Sequence, residues 1–105
     1  RLPFGENPRA LIERQPAGLI KVVATRGGRI LAAGIAGRGA AELIAPWSLA
    51  VTRRLTLTDV AGMISAYPTR SMLGSAAAGL GTDNEPPGLT IGVRRRIIAL
   101  LGKLG

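Results

Sequence analysis

The feature that most constrains this chain is a pair of apolar runs joined by two glycines. Residues 18–25, Gly-Leu-Ile-Lys-Val-Val-Ala-Thr, are rich in β-branched side chains and read as a strand. Residues 29–36, Arg-Ile-Leu-Ala-Ala-Gly-Ile-Ala, read as a second. Arg26-Gly27-Gly28-Arg29 lies between them. Glycine at both central positions permits positive φ at both, as a tight two-residue hairpin turn requires. Gly34, inside the second strand, predicts a bulge or a close backbone approach. Upstream, Pro3, Pro8 and Pro16 deny ladder hydrogen bonds, so residues 1–17 read as an extended lead-in or edge strand.

After Arg38 the period changes. Ala40, Leu43, Ile44, Trp47 and Val51 recur at helical spacing to about Arg53, with Pro46 expected to kink the helix. Leu57–Met63 reads as a short helical turn capped by Thr58 and ending near Gly62. Tyr67-Pro68-Thr69 reads as the start of a helix running to about Ala78, with Pro68 in its first turn. Gly79 to Gly88 has the composition of a linker. Val93, Ile97, Ile98, Leu101 and Leu104 form an apolar stripe on a final helix with Arg94 and Arg95 beside it. This divides the chain into a folded domain at 1–79, a linker at 80–88 and a basic amphipathic helix at 89–105. Strands followed by helices predict an α+β fold, an antiparallel sheet built on the 18–36 hairpin and packed on helices as a two-layer sandwich.

Composition excludes much chemistry. In 105 residues there is no Cys and no His. Disulfides, thiolate nucleophiles, Cys/His zinc sites and His-based triads are therefore impossible within the chain. No side chain has an ordinary pKa near 7, so Ser65 and Ser71 lack a base and are poor nucleophiles. The absence of disulfides fits a reducing, cytoplasmic setting, and a start at Arg1 reads as a piece of a longer protein. No stretch is long and apolar enough for a membrane span. Gly37-Arg38-Gly39 follows a strand and opens a helix, but Glu42 occupies the third glycine position of a dinucleotide turn, which opposes that reading.

The formal charge is +8 and unevenly placed. Residues 1–88 hold ten basic and six acidic groups, whereas 89–105 hold Arg94, Arg95, Arg96 and Lys103 and no acid. Such a balance favours an anionic partner. Scattered basic residues without interleaved aromatics argue against nucleic acid. The tail at 93–104 offers an alternative function, docking on an anionic membrane surface or partner protein.

Several blocks stand in a familiar order: Gly18-Leu19-Ile20-Lys21-Val22-Val23, Arg29-Ile30-Leu31-Ala32-Ala33-Gly34-Ile35, Gly37, Ala41-Glu42-Leu43-Ile44, Leu57-Thr58-Asp59 and Tyr67-Pro68-Thr69. Over residues 6–78 this resembles the C-terminal dimerisation domain of the pyridine nucleotide–disulfide oxidoreductases, in the manner of mercuric reductase and dihydrolipoamide dehydrogenase. The resemblance implies a homodimer, with FAD and NAD(P)H bound by domains outside this chain. It also implies a loop that reaches the partner subunit's flavin and redox disulfide, so that Ser65 and Ala66 would touch the flavin through backbone, with Trp47, Tyr67, Pro68 and Thr69 at the interface. Members of that family carry a His–Glu pair in this loop that handles protons at the thiols. Here the His position is Ser65, the Pro that follows it is Ala66, and the Glu position is Met72. The resemblance thus implies a domain without the family's acid–base pair and without catalysis of its own. On the residues alone, apolar Leu19 and Val23 opposite Ile20, Val22 and Ala24 give the hairpin two apolar faces, one of which must be covered by other protein.

Overall fold

The computed structural model describes residues 1–82. The expected helix over 89–105 and most of the linker at 80–88 lie outside the described residues.

The fold is α+β. Three strands, β1 (Leu2–Pro3), β2 (Gly18–Ala24) and β3 (Ile30–Gly37), form an antiparallel sheet in sequence order. Among the described residues five α-helices, α1 (Pro8–Ile12), α2 (Ala40–Leu43), α3 (Ala45–Thr52), α4 (Leu57–Ala61) and α5 (Met72–Gly79), and one 3-10 turn (Phe4–Glu6) accompany it. Alternation sorts the hairpin as the sequence reading expects. Ile20, Val22 and Ala24 face the helices, whereas Leu19, Lys21 and Val23 are exposed on the other side. Phe4, Leu2, Ile20, Ile30, Trp47 and Leu73 anchor one continuous core.

Several local readings are corrected, each for a physical reason. The hairpin loop has three residues, not two. The Gly28 N–H donates to the Thr25 carbonyl at 2.9 Å, and Thr25 and Arg29 close the loop. That geometry needs one left-handed residue at its third position, and Gly28 supplies it at φ +90 while Gly27 stays outside that region. The bulge falls not at Gly34 but where Val23 pairs with Ala32 and Ala24 with Ile30. Gly34 pairs regularly with Lys21 and has open space where a Cβ would be.

The helix expected over 38–53 is two helices, α2 and α3, meeting at Ile44. Pro46 falls in the first turn of α3, where its missing N–H is not needed. Helix α4 is capped by Thr56, not Thr58. The Thr56 hydroxyl accepts from the Asp59 N–H at 3.2 Å, and the Asp59 carboxylate accepts from the Thr56 N–H at 2.8 Å. This reciprocal box needs a three-residue spacing, which Thr56 has and Thr58 lacks. The lead-in contains the edge strand β1 but also α1, which begins with Pro8 at its first turn and Asn7 as its cap.

Candidate functional site

The segment between α4 and α5 carries the residues singled out from the sequence, and the fold holds it in an unusual way. Helix α5 starts at Met72, so Tyr67-Pro68-Thr69 belongs to a loop rather than to a first helical turn. The Tyr67–Pro68 peptide is cis. Thr69 explains why the helix begins late. Its hydroxyl donates to the Ala66 carbonyl at 2.6 Å and shares a hydrogen bond with the Ser71 hydroxyl at 2.9 Å. Its carbonyl accepts from Asn7 Nδ2 at 3.0 Å, which removes it from any helical ladder.

Asn7 does two jobs with one buried side chain. Its Oδ1 caps α1 by accepting from the Ala10 N–H at 3.0 Å, while its Nδ2 fixes the loop. Two residues after the cis proline, Arg70 Nε and Nη2 donate to a single oxygen of Glu13 at 2.9 and 2.6 Å. The other Glu13 oxygen takes Arg9 Nε at 2.8 Å. Arg70 also reaches the Arg38 carbonyl at 3.4 Å, and its guanidinium carbon lies 5.9 Å from the centre of the Phe4 ring. Hydrogen bonds from Arg9 and Arg70 hold the Glu13 carboxyl below its ordinary value of 4.5. The loop is therefore clamped at Thr69 and Arg70 to the start of the chain.

The remainder of the loop is presented outward. Ile64 is 91% exposed and Tyr67 72% exposed, with Met63 and Ala66 also at the surface. Ser65 is half-buried, and neither its hydroxyl nor its N–H makes a hydrogen bond among the described residues. Met72 is buried at the head of α5. Ser65 thus lies in the loop and Met72 at the head of the helix that follows it. Pro68 and Thr69 are half-buried at the clamped end. Trp47 is only 3% exposed and packs in the core beside Gly74 of α5, so it supports this stretch from beneath. A shallow apolar groove lined by Leu43, Pro46, Trp47, Met63, Ser71 and Gly74 runs alongside.

Asn7, Glu13 and Arg70 were not identified from sequence. Asn7 followed by Pro8 was a legible cap-plus-first-turn signal. Nothing in sequence order links Glu13 to Arg70, which stand 57 positions apart.

The Gly37-Arg38-Gly39 turn does not have the form of a dinucleotide-binding turn. Gly39 sits left-handed at φ 78 ahead of a helix of only four residues, with Glu42 in its first turn. An acidic side chain there opposes a pyrophosphate. Among the described residues there is also no group of three or more metal-binding side chains, and no helix long and apolar enough to cross a membrane.

The family model for the dimerisation domain of the pyridine nucleotide-disulphide oxidoreductases matches residues 1–77. The chain belongs to this family. As a pyridine nucleotide-disulphide oxidoreductase dimerisation domain, it is 34% identical over 79 residues to the dihydrolipoyl dehydrogenase of Bacillus subtilis, a match covering 74% of this chain and 17% of that protein. With the mercuric reductase of Streptomyces lividans it shares 40% identity over 63 residues, 59% of this chain and 13% of the relative. With the dihydrolipoyl dehydrogenase of Halobacterium salinarum it shares 41% over 70 residues, 66% of this chain and 15% of the relative. The chain therefore spans less than a fifth of the length of these curated relatives.

Proposed function

We propose that this domain is the homodimerisation module of an FAD- and NAD(P)H-dependent disulfide oxidoreductase-like flavoprotein, and that it has no catalytic activity of its own. The observation that carries the reading is the clamped loop. A large aliphatic side chain, Ile64, and an aromatic one, Tyr67, stand at the surface of a segment tied down at Thr69 and Arg70. Exposed apolar area is unfavourable by roughly 25 cal/mol per Å², and a pre-ordered loop loses little entropy on docking. Both terms favour coverage of this loop by a second copy.

In such a dimer the Ser65–Ala66 backbone would present N–H groups to the partner subunit's flavin. The Ala66 carbonyl already accepts from the Thr69 hydroxyl, which holds this edge of the loop in place. Flavin and nicotinamide would supply hydride and electron transfer from domains outside this chain. Ser65 and Met72 stand where the family's resemblance places His and Glu, and neither can exchange a proton at neutral pH. The parent protein would then reduce its acceptor without a proton relay in this loop.

Sedimentation equilibrium on the 105-residue chain tests the association. A dimer that dissociates on Ile64→Asp or Tyr67→Asp, with the helical signal retained, is the expected result. A monomer at high micromolar concentration overturns the reading. Incubation of the chain with FAD and NADPH should give no turnover.

A further inference from the structure

Among the described residues the outer face of the hairpin is bare. Register sets its composition: Leu19 lies opposite Ala36, Lys21 opposite Gly34 and Val23 opposite Ala32, and all six are exposed. The core lies on the other face, where Ile20 pairs with Ile35 and Val22 with Ala33. When one face of an antiparallel sheet meets water, its outward positions are ordinarily polar. Here Lys21 is the one polar side chain of the six, and β2 and β3 contain no Asp or Glu. Leu19 and Val23 form a raised row on β2 beside the small residues Ala32, Gly34 and Ala36 of β3. Contiguous exposed apolar surface of this kind marks a contact.

The course of the chain supplies the occupant. After α5 it leaves the described body beside β2, where Leu80 and Gly81 line a cleft together with Val22 and Ala24. Strand β1 pairs with β2 at Leu19 and Ile20, so among the described residues the edge at Lys21–Ala24 is open for a crossing to the outer face. Residues 83–92 span up to about 33 Å when extended, enough to round the edge of a body measuring 34 × 30 × 23 Å. Val93, Ile97, Ile98, Leu101 and Leu104 then make the apolar stripe, in a stretch that the family match over 1–77 does not reach. At helical rise its twelve residues measure about 18 Å, within the roughly 27 Å of an eight-residue strand such as β3.

We propose that the apolar stripe of residues 93–104 covers the outer sheet face of its own chain, as a third layer. Branched side chains of the stripe would lie over Ala32, Gly34 and Ala36, large against small, as interdigitating layers require. The tether favours the same chain over a second copy, because a linker of this length gives an effective concentration on the order of millimolar. A second copy laid face to face would also bury two Lys21 side chains in an apolar contact. A single stripe leaves Lys21 room to extend its ammonium past the rim.

The chain has no native cysteine, so single introduced thiols report on the face directly. Ala32→Cys and Ala36→Cys are small changes at exposed positions, and Ser48→Cys, exposed on α3, is the control. Labelling by N-ethylmaleimide, a neutral reagent, is timed in the 105-residue chain with and without Ile97→Ser and Leu101→Ser. The two face thiols should react about tenfold or more faster once the stripe carries the serines, and the control thiol within about twofold of its former rate. Matching circular dichroism melts show that the fold is retained, and the second face position keeps the test if one thiol variant misfolds. Equal rates with and without the serines overturn the proposal. Protection that grows with protein concentration between about 1 and 100 µM also overturns it, because a second copy would then be the cover. So does binding to phosphatidylserine vesicles that requires Ile97 and Leu101 while the face thiols stay reactive.

Discussion

Gly37 and Gly34 lie three residues apart in β3, yet alanine should affect them in opposite ways. Gly37 sits at φ +140, and a Cβ built there would lie 2.5 Å from Phe4 Cε2, 2.9 Å from Cζ and 3.0 Å from the Ala17 carbonyl oxygen. Two penalties follow for Gly37→Ala. A side chain in that backbone region costs about 1–3 kcal/mol. Displacing a ring that is only 1% exposed in a packed core costs about 1–3 kcal/mol more. Against a total stability of roughly 5–15 kcal/mol this is a large fraction. The expected drop in Tm is at least about 10 °C. Gly34→Ala meets nothing within 4 Å and has ordinary φ, so it should be neutral or slightly stabilising. Chemical denaturation of both variants, and of Gly37→Ala in a Phe4→Ala background, separates the terms. Without the ring, Gly37→Ala should lose the clash with Phe4 and retain the backbone penalty and the close approach to the Ala17 carbonyl oxygen. Equal costs for the two glycines, or an unchanged cost for Gly37→Ala once Phe4 is gone, would refute the reasoning.

Two further outcomes follow from the same geometry. Glu13 is held below its ordinary value of 4.5 by Arg9 and Arg70, so its contribution is full above that value and fades as pH falls through the lower folded value. In that window the unfolded chain binds more protons, and stability therefore rises with pH. Glu13→Gln should flatten this acidic limb in denaturant midpoints measured between about pH 2 and 6. Gly74 lies inside α5, and an added Cβ would rest 3.5 Å from Trp47 Nε1, an ordinary contact. Gly74→Ala should therefore stabilise by about 0.5–1 kcal/mol through helix propensity, read as a higher melting temperature.

What the sequence disclosed and what it hid differ in kind. The hairpin was legible because alternation and glycine placement are local, and so was the face carrying Ile20, Val22 and Ala24. The loop length was misjudged because Gly27 and Gly28 are chemically alike, and only the closing pair, Thr25 with Arg29, decides which one turns left-handed. Pro46 was read as a kink in one helix; the chain instead ends α2 early and uses the proline to open α3. The α4 cap was offset by two residues because Thr56 and Thr58 both precede an apolar run, and Asp59 selects the former. The blocks carrying the family resemblance include Tyr67-Pro68-Thr69, but not what secures that segment. Asn7 and Thr69, and Glu13 and Arg70, meet only through the tertiary fold, and no periodicity announces a contact between residues so far apart in sequence.

That clamp has a consequence for the integrity of the polypeptide. Among the described residues, the segment after Ala66 is attached to the body twice over, by Asn7 and Glu13 at one end and by the packing of α5 on α4 and β2 at the other. Scission of the exposed stretch around Ile64 would sever a covalent link without releasing either fragment, so the two pieces ought to remain together and reassemble when mixed.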